Sequence, residues 1–396
     1  MQYMKNILIA IPSLGSGGAE KSLISLLNLL PTDKFNIDLM VISEGGLFYN
    51  KIPEKITLVN APKNLKIALG SIHTMKDLTF CEKIEKIISN ICTRFRSIYK
   101  LDVLQFTWKI WRNSIPRFSG HYDVAISYMN GITNYYVIDK INAKKKILWV
   151  HNDYKKLNAN STFDLHYFGK ANKIVTISDL CVESLKETFP SFTDKFISIE
   201  NISSKKIIDD MATKFYPPEY KSSEGCLILL SIGRLVTQKG FDYAVRAGKI
   251  LKEQNINFKW FIIGIGNLKN ELSTYINENN LNNNIFLLGE RSNPYPYIRN
   301  CSIFLQTSRY EGKSVVIDEA KILHRPIIST NYPTVNDNIQ NNITGIICQP
   351  TPEDIAESII SLANNTNRQQ ELVSNLKNLY NGNEIEIEKY INLLNS

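Results

Sequence analysis

The stretch Leu227-Ile228-Leu229-Leu230-Ser231-Ile232-Gly233-Arg234-Leu235-Val236-Thr237-Gln238-Lys239-Gly240 sets the fold class of this 396-residue chain. Leu227–Ile232 is nearly continuous in apolar side chains, as a strand buried on both faces requires. Gly233 then permits a turn that approaches a ligand closely, and a helical pattern follows over Asp242–Gln254. Strand, basic loop and helix in that order build a parallel sheet. The alternation continues downstream with strands at Phe258–Ile263, Ile285–Leu288, Ile303–Gln306, Pro326–Ser329 and Gly345–Cys348. Helical segments separate them at Leu268–Asn279, Pro294–Asn300 and Ser314–Leu323, and terminal helices follow Pro352.

Upstream the same grammar recurs. Asn6–Ile11 reads as a strand, Gly15-Ser16-Gly17-Gly18-Ala19-Glu20 as a glycine turn, and the residues through Leu30 as a helix. Further apolar runs lie at Ile37–Ile42, Val124–Ser127, Ile147–Val150, Ile174–Ile177 and Phe196–Ile199. The polar segment Asn201–Gly225, with Lys205-Lys206, Pro217-Pro218 and Ser222-Ser223, reads as an interdomain connection. Two βα domains are therefore expected, over residues 1–200 and 201–380, with a ligand cleft between them at the carboxyl ends of the strands. Residues 381–396 are expected to form a C-terminal helix that packs back on the first domain.

Composition narrows the function classes. Hydrophobic residues make up 43% and charged residues 21%, and no apolar run approaches the roughly 20 residues of a membrane-spanning helix. The short run in Met4–Pro12 is shorter than the core of a signal peptide and lacks a cleavage site, which favours a first strand. Six cysteines stand without any C-x-x-C, so neither a disulfide framework nor a zinc site is indicated, and a reducing cytoplasmic setting is expected. The five histidines lack metal-ligand spacing and no Asp-x-Asp is present, so no metal or cofactor is expected.

Of the net charge of +8, a balance of +7 falls within Lys63–Arg117, where eleven Lys/Arg meet four Asp/Glu. Phe95, Tyr99, Phe106, Trp108 and Trp111 are interleaved with those cations. The pattern suits an anionic membrane surface, or equally a solvated helical face with a few core aromatics.

The chemistry-bearing residues cluster after two strands of the second domain. Arg234 and Lys239 project from the loop after Gly233, where fixed positive charge neutralises a leaving diphosphate. Glu311-Gly312-Lys313-Ser314-Val315-Val316-Ile317-Asp318-Glu319 opens the helix after Ile303–Gln306. There the amides of Gly312, Lys313, Ser314 and Val315 form a helix N-terminus suited to phosphate or sugar hydroxyls. A carboxylate accepts two hydrogen bonds from a vicinal diol, so Glu319 suits a ribose and Glu311 a transferred sugar. Taken singly, the first motif is also a basic surface turn and the second a solvated helix with two glutamates.

In combination the motifs resemble the group 1 (family 4) retaining glycosyltransferases of the GT-B fold. The resemblance rests on Gly233-Arg234…Lys239-Gly240, Gly264-Ile265-Gly266, Ser308…Glu311-Gly312…Glu319-Ala320, Arg325-Pro326 and the N-terminal Gly15–Glu20 loop. It covers nearly the whole chain, most weakly over about Lys51–Gly120. It implies two Rossmann-like βα domains facing each other across a cleft, the first binding acceptor and the second a nucleotide sugar, UDP-linked before GDP-linked.

The resemblance further implies Arg234 and Lys239 at the donor diphosphate, Glu311 at the donor sugar, Glu319 at the ribose and a base pocket near Gly289-Glu290-Arg291. It places Gly17, Gly18, Gly233 and Gly264 beside the donor, and His151, in Trp149-Val150-His151-Asn152, beside the donor sugar. The implied reaction is hexose transfer with retention to a lipid-linked or growing surface glycan such as capsule, O-antigen or lipopolysaccharide. The implied place is the cytoplasm, peripherally on the inner membrane face through residues 63–117, with no nucleic acid partner. Two rival readings stand beside it. A dinucleotide site at Gly15–Gly18 lacks the third glycine of G-x-G-x-x-G, where Glu20 stands. A catalytically silent scaffold subunit has no physical reason to keep Glu311, Glu319, Arg234 and Lys239 together.

Overall fold

The computed structural model describes residues 4–15, 17–69, 79, 83–84, 86–87, 102–157, 159–311, 314–380 and 382–396. They divide into one unit of residues 1–202 and 385–396 and a second of residues 203–384.

In the first unit the parallel strands are β1 (Lys5–Ile11), β2 (Phe35–Val41), β3 (Thr57–Leu58), β4 (His121–Ser127), β5 (Asn142–Val150), β6 (Lys173–Thr176) and β7 (Phe196–Ser198). Their order in the sheet is β3-β2-β1-β4-β5-β6-β7. Register places Ile7 beside Ile37 on one side and Val124 on the other. Ile7 to Ile11 are all fully buried, which explains an unbroken apolar run in place of alternation. Helices α1 (Gly18–Leu29), α2 (Lys63–Ala68), α3 (Val103–Trp111), α4 (Ile132–Lys140), α5 (Ser161–Lys170) and α6 (Asp179–Thr188) flank the sheet. Their starts are legible where a cap is present: Asp102 and Gln105 form a capping box at α3, Asn160 caps α5 and Ser178 caps α6.

In the second unit β8 (Leu227–Ile232), β9 (Phe258–Ile263), β10 (Ile285–Gly289), β11 (Ile303–Gln306), β12 (Ile327–Thr330) and β13 (Ile346–Cys348) are also all parallel. Their order is β10-β9-β8-β11-β12-β13. The intervening helices are α7 (Lys205–Ala212), α8 (Phe241–Glu253), α9 (Lys269–Glu278), α10 (Tyr295–Asn300), α11 (Val315–Ile322), α12 (Val335–Asn338), α13 (Pro352–Ala363) and α14 (Thr366–Leu379). Each sheet carries a hydrophobic cluster on either face. Two three-layer α/β units thus form the two-Rossmann GT-B architecture. Among the described residues no helix is long and apolar enough to cross a membrane.

The last helix, α15 (Ile387–Asn395), belongs to the first unit. Tyr390 stacks on Trp149 with ring centroids 5.6 Å apart and planes 9° from parallel. Lys5 and Lys145 donate to the carbonyls of Leu394 and Leu393, at 3.0 and 2.7 Å, where the helix end carries partial negative charge.

One expectation needs correction, and one pair of alternatives is decided in part. The segment 201–225 is more than a connection, because Ser204 caps α7, whose Ile208 and Ala212 are buried. Tyr220 is buried too, against Phe261 and Tyr297. Sparse apolar residues at helical spacing were enough to dock an otherwise polar stretch. The alternatives concern the basic aromatic segment, where three residues follow the core reading. Phe106, Trp108 and Trp111 are core residues, 5%, 0% and 1% exposed, because the capping box starts a helix that turns this face onto α2 and α4. Phe95 and Tyr99 lie outside the described residues.

Candidate functional site

In the second unit β8 lies between β9 and β11, so the chain leaving β8 and the chain leaving β11 diverge at one strand-end crevice. Open parallel sheets bind ligands at such a switch point. The two loops are clamped together. Gly240 adopts φ +62° in the loop after β8, and a Cβ there would stand 2.0 Å from the Thr307 carbonyl oxygen. Thr307 Oγ1 donates to the Lys239 carbonyl at 3.0 Å, and the Arg309 amide donates to the Gln238 carbonyl at 2.8 Å. Arg309 also forks onto both carboxylate oxygens of Asp242, at 2.8 and 2.7 Å, with its guanidinium over the Tyr243 ring.

This clamp joins Lys239 to Glu311. The Lys239 stem runs past Gly233, where a Cβ would lie 3.2 Å from Lys239 Cδ. Its Nζ meets Glu311 Oε1 at 2.6 Å, with the side chains only 16% and 8% exposed. The same Oε1 accepts from Gln306 Nε2 at 2.9 Å and Ser308 Oγ at 2.5 Å. Oε2 has a long 3.5 Å contact from Gln238 Nε2, which leaves it acceptor capacity. Arg234 is exposed and its side chain makes no hydrogen bond or ion pair among the described residues. One cation is thus engaged with the carboxylate and the other faces solvent beside it in sequence.

At the start of α11, the Ser314 amide donates to Asn338 Oδ1 at 3.2 Å. Ser314 Oγ and Asn338 Nδ2 are buried without a partner among the described residues. Val315 opens the helix and is 9% exposed, while Gly312 and Lys313 lie outside the described residues. Glu319, one turn further on, is 1% exposed and accepts from Tyr295 Oη at 3.1 Å. Burial and the Glu319 charge push the Tyr295 phenol well up, which keeps it a donor. Thr334 Oγ1 holds the Glu311 carbonyl at 2.9 Å. Ser308 was quoted from sequence only as part of a motif, and none of Gln306, Tyr295, Thr334 or Asn338 was singled out. Gln306 and Ser308 carried one signal, polar side chains at the end of an apolar strand.

Gly264 and Arg291 answer to needs inside the protein. Gly264, at φ +147°, lets β9 end against β8, since a Cβ would fall 1.9 Å from the Gly233 carbonyl oxygen. Arg291 ties Glu219 at 2.7 Å, the Leu288 carbonyl at 2.6 Å and Tyr297 Oη at 3.1 Å. It anchors the segment before β8 to the end of β10.

In the first unit the switch point lies between β1 and β4. Gly17 is the N-cap of α1, and a Cβ there would be 2.3 Å from Glu20 Oε2. Gly18 is the first helical residue. His151 follows β5 and is 9% exposed, with Nε2 donating to the Tyr128 carbonyl at 2.8 Å. That bond makes Nδ1 the lone-pair nitrogen, and it is buried without a partner among the described residues. Burial pushes the imidazole pKa down to about 4, so the ring is neutral at pH 7. Tyr128 is itself held by Ser22 Oγ at 3.1 Å and by Tyr390 Oη at 3.3 Å.

Known proteins place these geometries. Residues 213–379 match the family "Glycosyl transferases group 1". An N-acetylgalactosamine-N,N'-diacetylbacillosaminyl-diphospho-undecaprenol 4-alpha-N-acetylgalactosaminyltransferase from Campylobacter jejuni is 27% identical over 338 residues, 83% of this chain and 81% of that protein. The chain has the GT-B fold, and its second unit carries the match to group 1. An uncharacterized glycosyltransferase from Methanocaldococcus jannaschii is 28% identical over 267 residues, 64% of this chain and 66% of that protein, so just under two thirds of its length is spanned. Staphylococcus aureus TarM, solved in a complex with UDP, superposes with a TM-score of 0.68 at 16% identity, over 99% of this chain and 100% of that one. The group 1 span contains both switch-point loops of the second unit, from Gly233 through Glu319.

Proposed function

We propose that this glycosyltransferase moves a hexose from a UDP-sugar to a lipid-linked or growing surface glycan with retention of anomeric configuration. The observation that carries the reading is the Lys239–Glu311 ion pair at the β8/β11 switch point, with exposed Arg234 in the same loop. Arg234 and Lys239 take the donor diphosphate, helped by the amides at the start of α11. When phosphate draws Lys239 away, Glu311 stays fixed by Gln306 and Ser308 and accepts from a sugar hydroxyl. Glu319, beside Tyr295, takes the ribose hydroxyls. His151 Nδ1 accepts a hydroxyl of the donor sugar.

No side chain in this set is placed as a covalent nucleophile, which supports front-side displacement. The bond from the anomeric carbon to the phosphate oxygen breaks and a bond to the acceptor oxygen forms on the same face. The acceptor proton passes to the departing phosphate, whose charge Arg234 and Lys239 hold. The UDP preference draws on the complex of TarM, and the lipid-linked glycan on the activity of the Campylobacter relative. We place the enzyme in the cytoplasm, peripherally at the inner membrane face, on the cationic excess of residues 63–117.

A panel of nucleotide sugars, read by thermal shift and by product NMR, tests the reading. A UDP-sugar at a hundred times its Kd stabilises by about 2.7 kcal/mol, and Lys239→Ala or Glu311→Ala abolishes transfer in a folded protein. An inverted anomeric centre in the first-formed product overturns retention. No transfer from any sugar nucleotide overturns the whole reading.

A further inference from the structure

In the first unit a cavity of about 490 Å³ opens where β4 and β5 begin, lined by Arg117, His121, Asp139, Lys140, Asn142 and Lys146 among others. Its volume falls in the range of roughly 300–1,000 Å³ typical of small-molecule sites. The glycine loop, Tyr128 and His151 follow the opposite, carboxyl ends of the strands. The cavity is therefore separate from the machinery described above.

Its charge is unbalanced. Arg117 and Lys140 have no side-chain hydrogen bond or ion pair among the described residues, although both line the cavity. Asp139 is the carboxylate present, and its Oδ2 accepts from Trp108 Nε1 at 3.2 Å and Tyr167 Oη at 3.4 Å. A helix C-terminus disfavours anions, and α4 ends here. Two of its last carbonyls are already engaged, however: Lys146 Nζ donates to Ile138 at 2.6 Å and the Phe118 amide to Lys140 at 3.0 Å. Asn142 Nδ2 and His121 Nδ1 lie 2.8 Å apart, and because the amide can only donate, the imidazole keeps its proton on Nε2. Burial, with the charges of Arg117 and Lys170, pushes the Lys146 ammonium down against the opposing pull of the Asp139 carboxylate. What remains for a ligand is a set of N–H donors and uncompensated positive charge. Arg117 adds the planar fork that reads a tetrahedral oxyanion in two bonds.

We propose that this cavity is a second binding site, for a phosphate group carried by a small metabolite or a lipid head. Neither source changes the recognition chemistry, which is Arg117 and Lys140 on the phosphate oxygens with His121 Nε2–H as a further donor.

Two tryptophans separate this site from the donor loop. The indole N–H of Trp108 is shared between Tyr167 Oη at 2.9 Å and Asp139 Oδ2 at 3.2 Å, the latter at the cavity, whereas that of Trp260 is bonded to Ser231 Oγ at 3.0 Å, two residues before Gly233. Inorganic phosphate is titrated at constant ionic strength against the full chain, with the two indole ¹⁵N–¹H resonances followed. The Trp108 resonance is expected to shift and saturate, and in Arg117→Ser/Lys140→Ser its apparent affinity is expected to fall at least about tenfold. The Trp260 response should match in the two proteins, which keeps phosphate at the donor loop apart, and unchanged Trp111 and Trp149 indole resonances show the first unit of the variant folded. A Trp108 resonance that does not move, or that moves alike in both proteins, overturns the proposal. Sedimentation with phosphatidic acid in phosphatidylcholine vesicles then assigns the source. Weaker sedimentation of the double variant identifies a lipid head, and equal sedimentation with the phosphate response lost identifies a soluble metabolite.

Discussion

Acid should unfold the first unit through one residue, His151. The imidazole is buried, its Nε2 proton is given to the Tyr128 carbonyl, and among the described residues Nδ1 has no partner that would welcome a second proton. Its pKa falls from 6.5 to about 4 on folding because burial disfavours the charged ring. A group with a depressed folded pKa binds fewer protons folded than unfolded, so stability rises with pH across that window. The contribution is complete above pH 6.5 and disappears as the pH falls toward about 4. At about 1.4 kcal/mol per pKa unit the coupling amounts to about 3 kcal/mol. Asp164 works against it: burial pushes that carboxyl up, so its proton stabilises the fold as pH falls. The informative quantity is therefore the difference from His151→Gln, which keeps a donor for Tyr128 and does not titrate. Urea unfolding from pH 7 to about 4, read by the fluorescence of Trp108, Trp111 and Trp149 in a Trp260→Phe background, isolates the first unit. Wild type should lose about 3 kcal/mol more than His151→Gln over that range. Parallel curves for the two proteins would refute the assignment of His151 as a buried neutral imidazole.

The other predictions concern both units. Gly264→Ala should destabilise the second unit by roughly 3 kcal/mol or more, because its Cβ would press on the Gly233 carbonyl at 1.9 Å in a backbone at φ +147°; Trp260 fluorescence on unfolding reads it. Tyr390→Phe removes a hydroxyl between Tyr128 Oη at 3.3 Å and the Glu200 carbonyl at 3.2 Å, and should cost about 1 kcal/mol. Tyr390→Ala also removes the ring stacked on Trp149 and should cost about 3–5 kcal/mol by urea unfolding. Lys239→Met should lower kcat for sugar transfer by about 100-fold or more, since it deletes the cation of the leaving phosphate. Glu319→Gln should weaken UDP binding about tenfold by calorimetry with less than about 1 kcal/mol lost in stability, because the amide still accepts from Tyr295.

Residues whose role depends on their own segment were legible in the sequence. Continuous apolar runs announced strands buried on both faces, and Asp102, Asn160 and Ser178 were able to cap helices because a cap is a contact within four residues. The loop residues Arg234, Lys239 and Glu311 were recognisable by order and type. Their partnership was not. Lys239 and Glu311 are separated by 72 residues, and only the β8/β11 adjacency, with Gly240 against Thr307, brings Nζ to Oε1. Gln306 and Ser308 look like ordinary polar residues until that carboxylate arrives between them. The aromatic residues of 102–117 show the converse. Composition there suited a membrane surface, yet packing against α2 and α4 buries Phe106, Trp108 and Trp111. Arg291 is bonded to Glu219 for the same reason, since charge type is local but the choice of partner is made by the fold. The sequence alone determined where backbone could run as strand, turn and helix, because those preferences are short-ranged. Tertiary structure alone decided which charges pair, which histidine nitrogen keeps its lone pair and which tryptophans leave water, because each depends on groups that only chain crossing brings within a few ångströms.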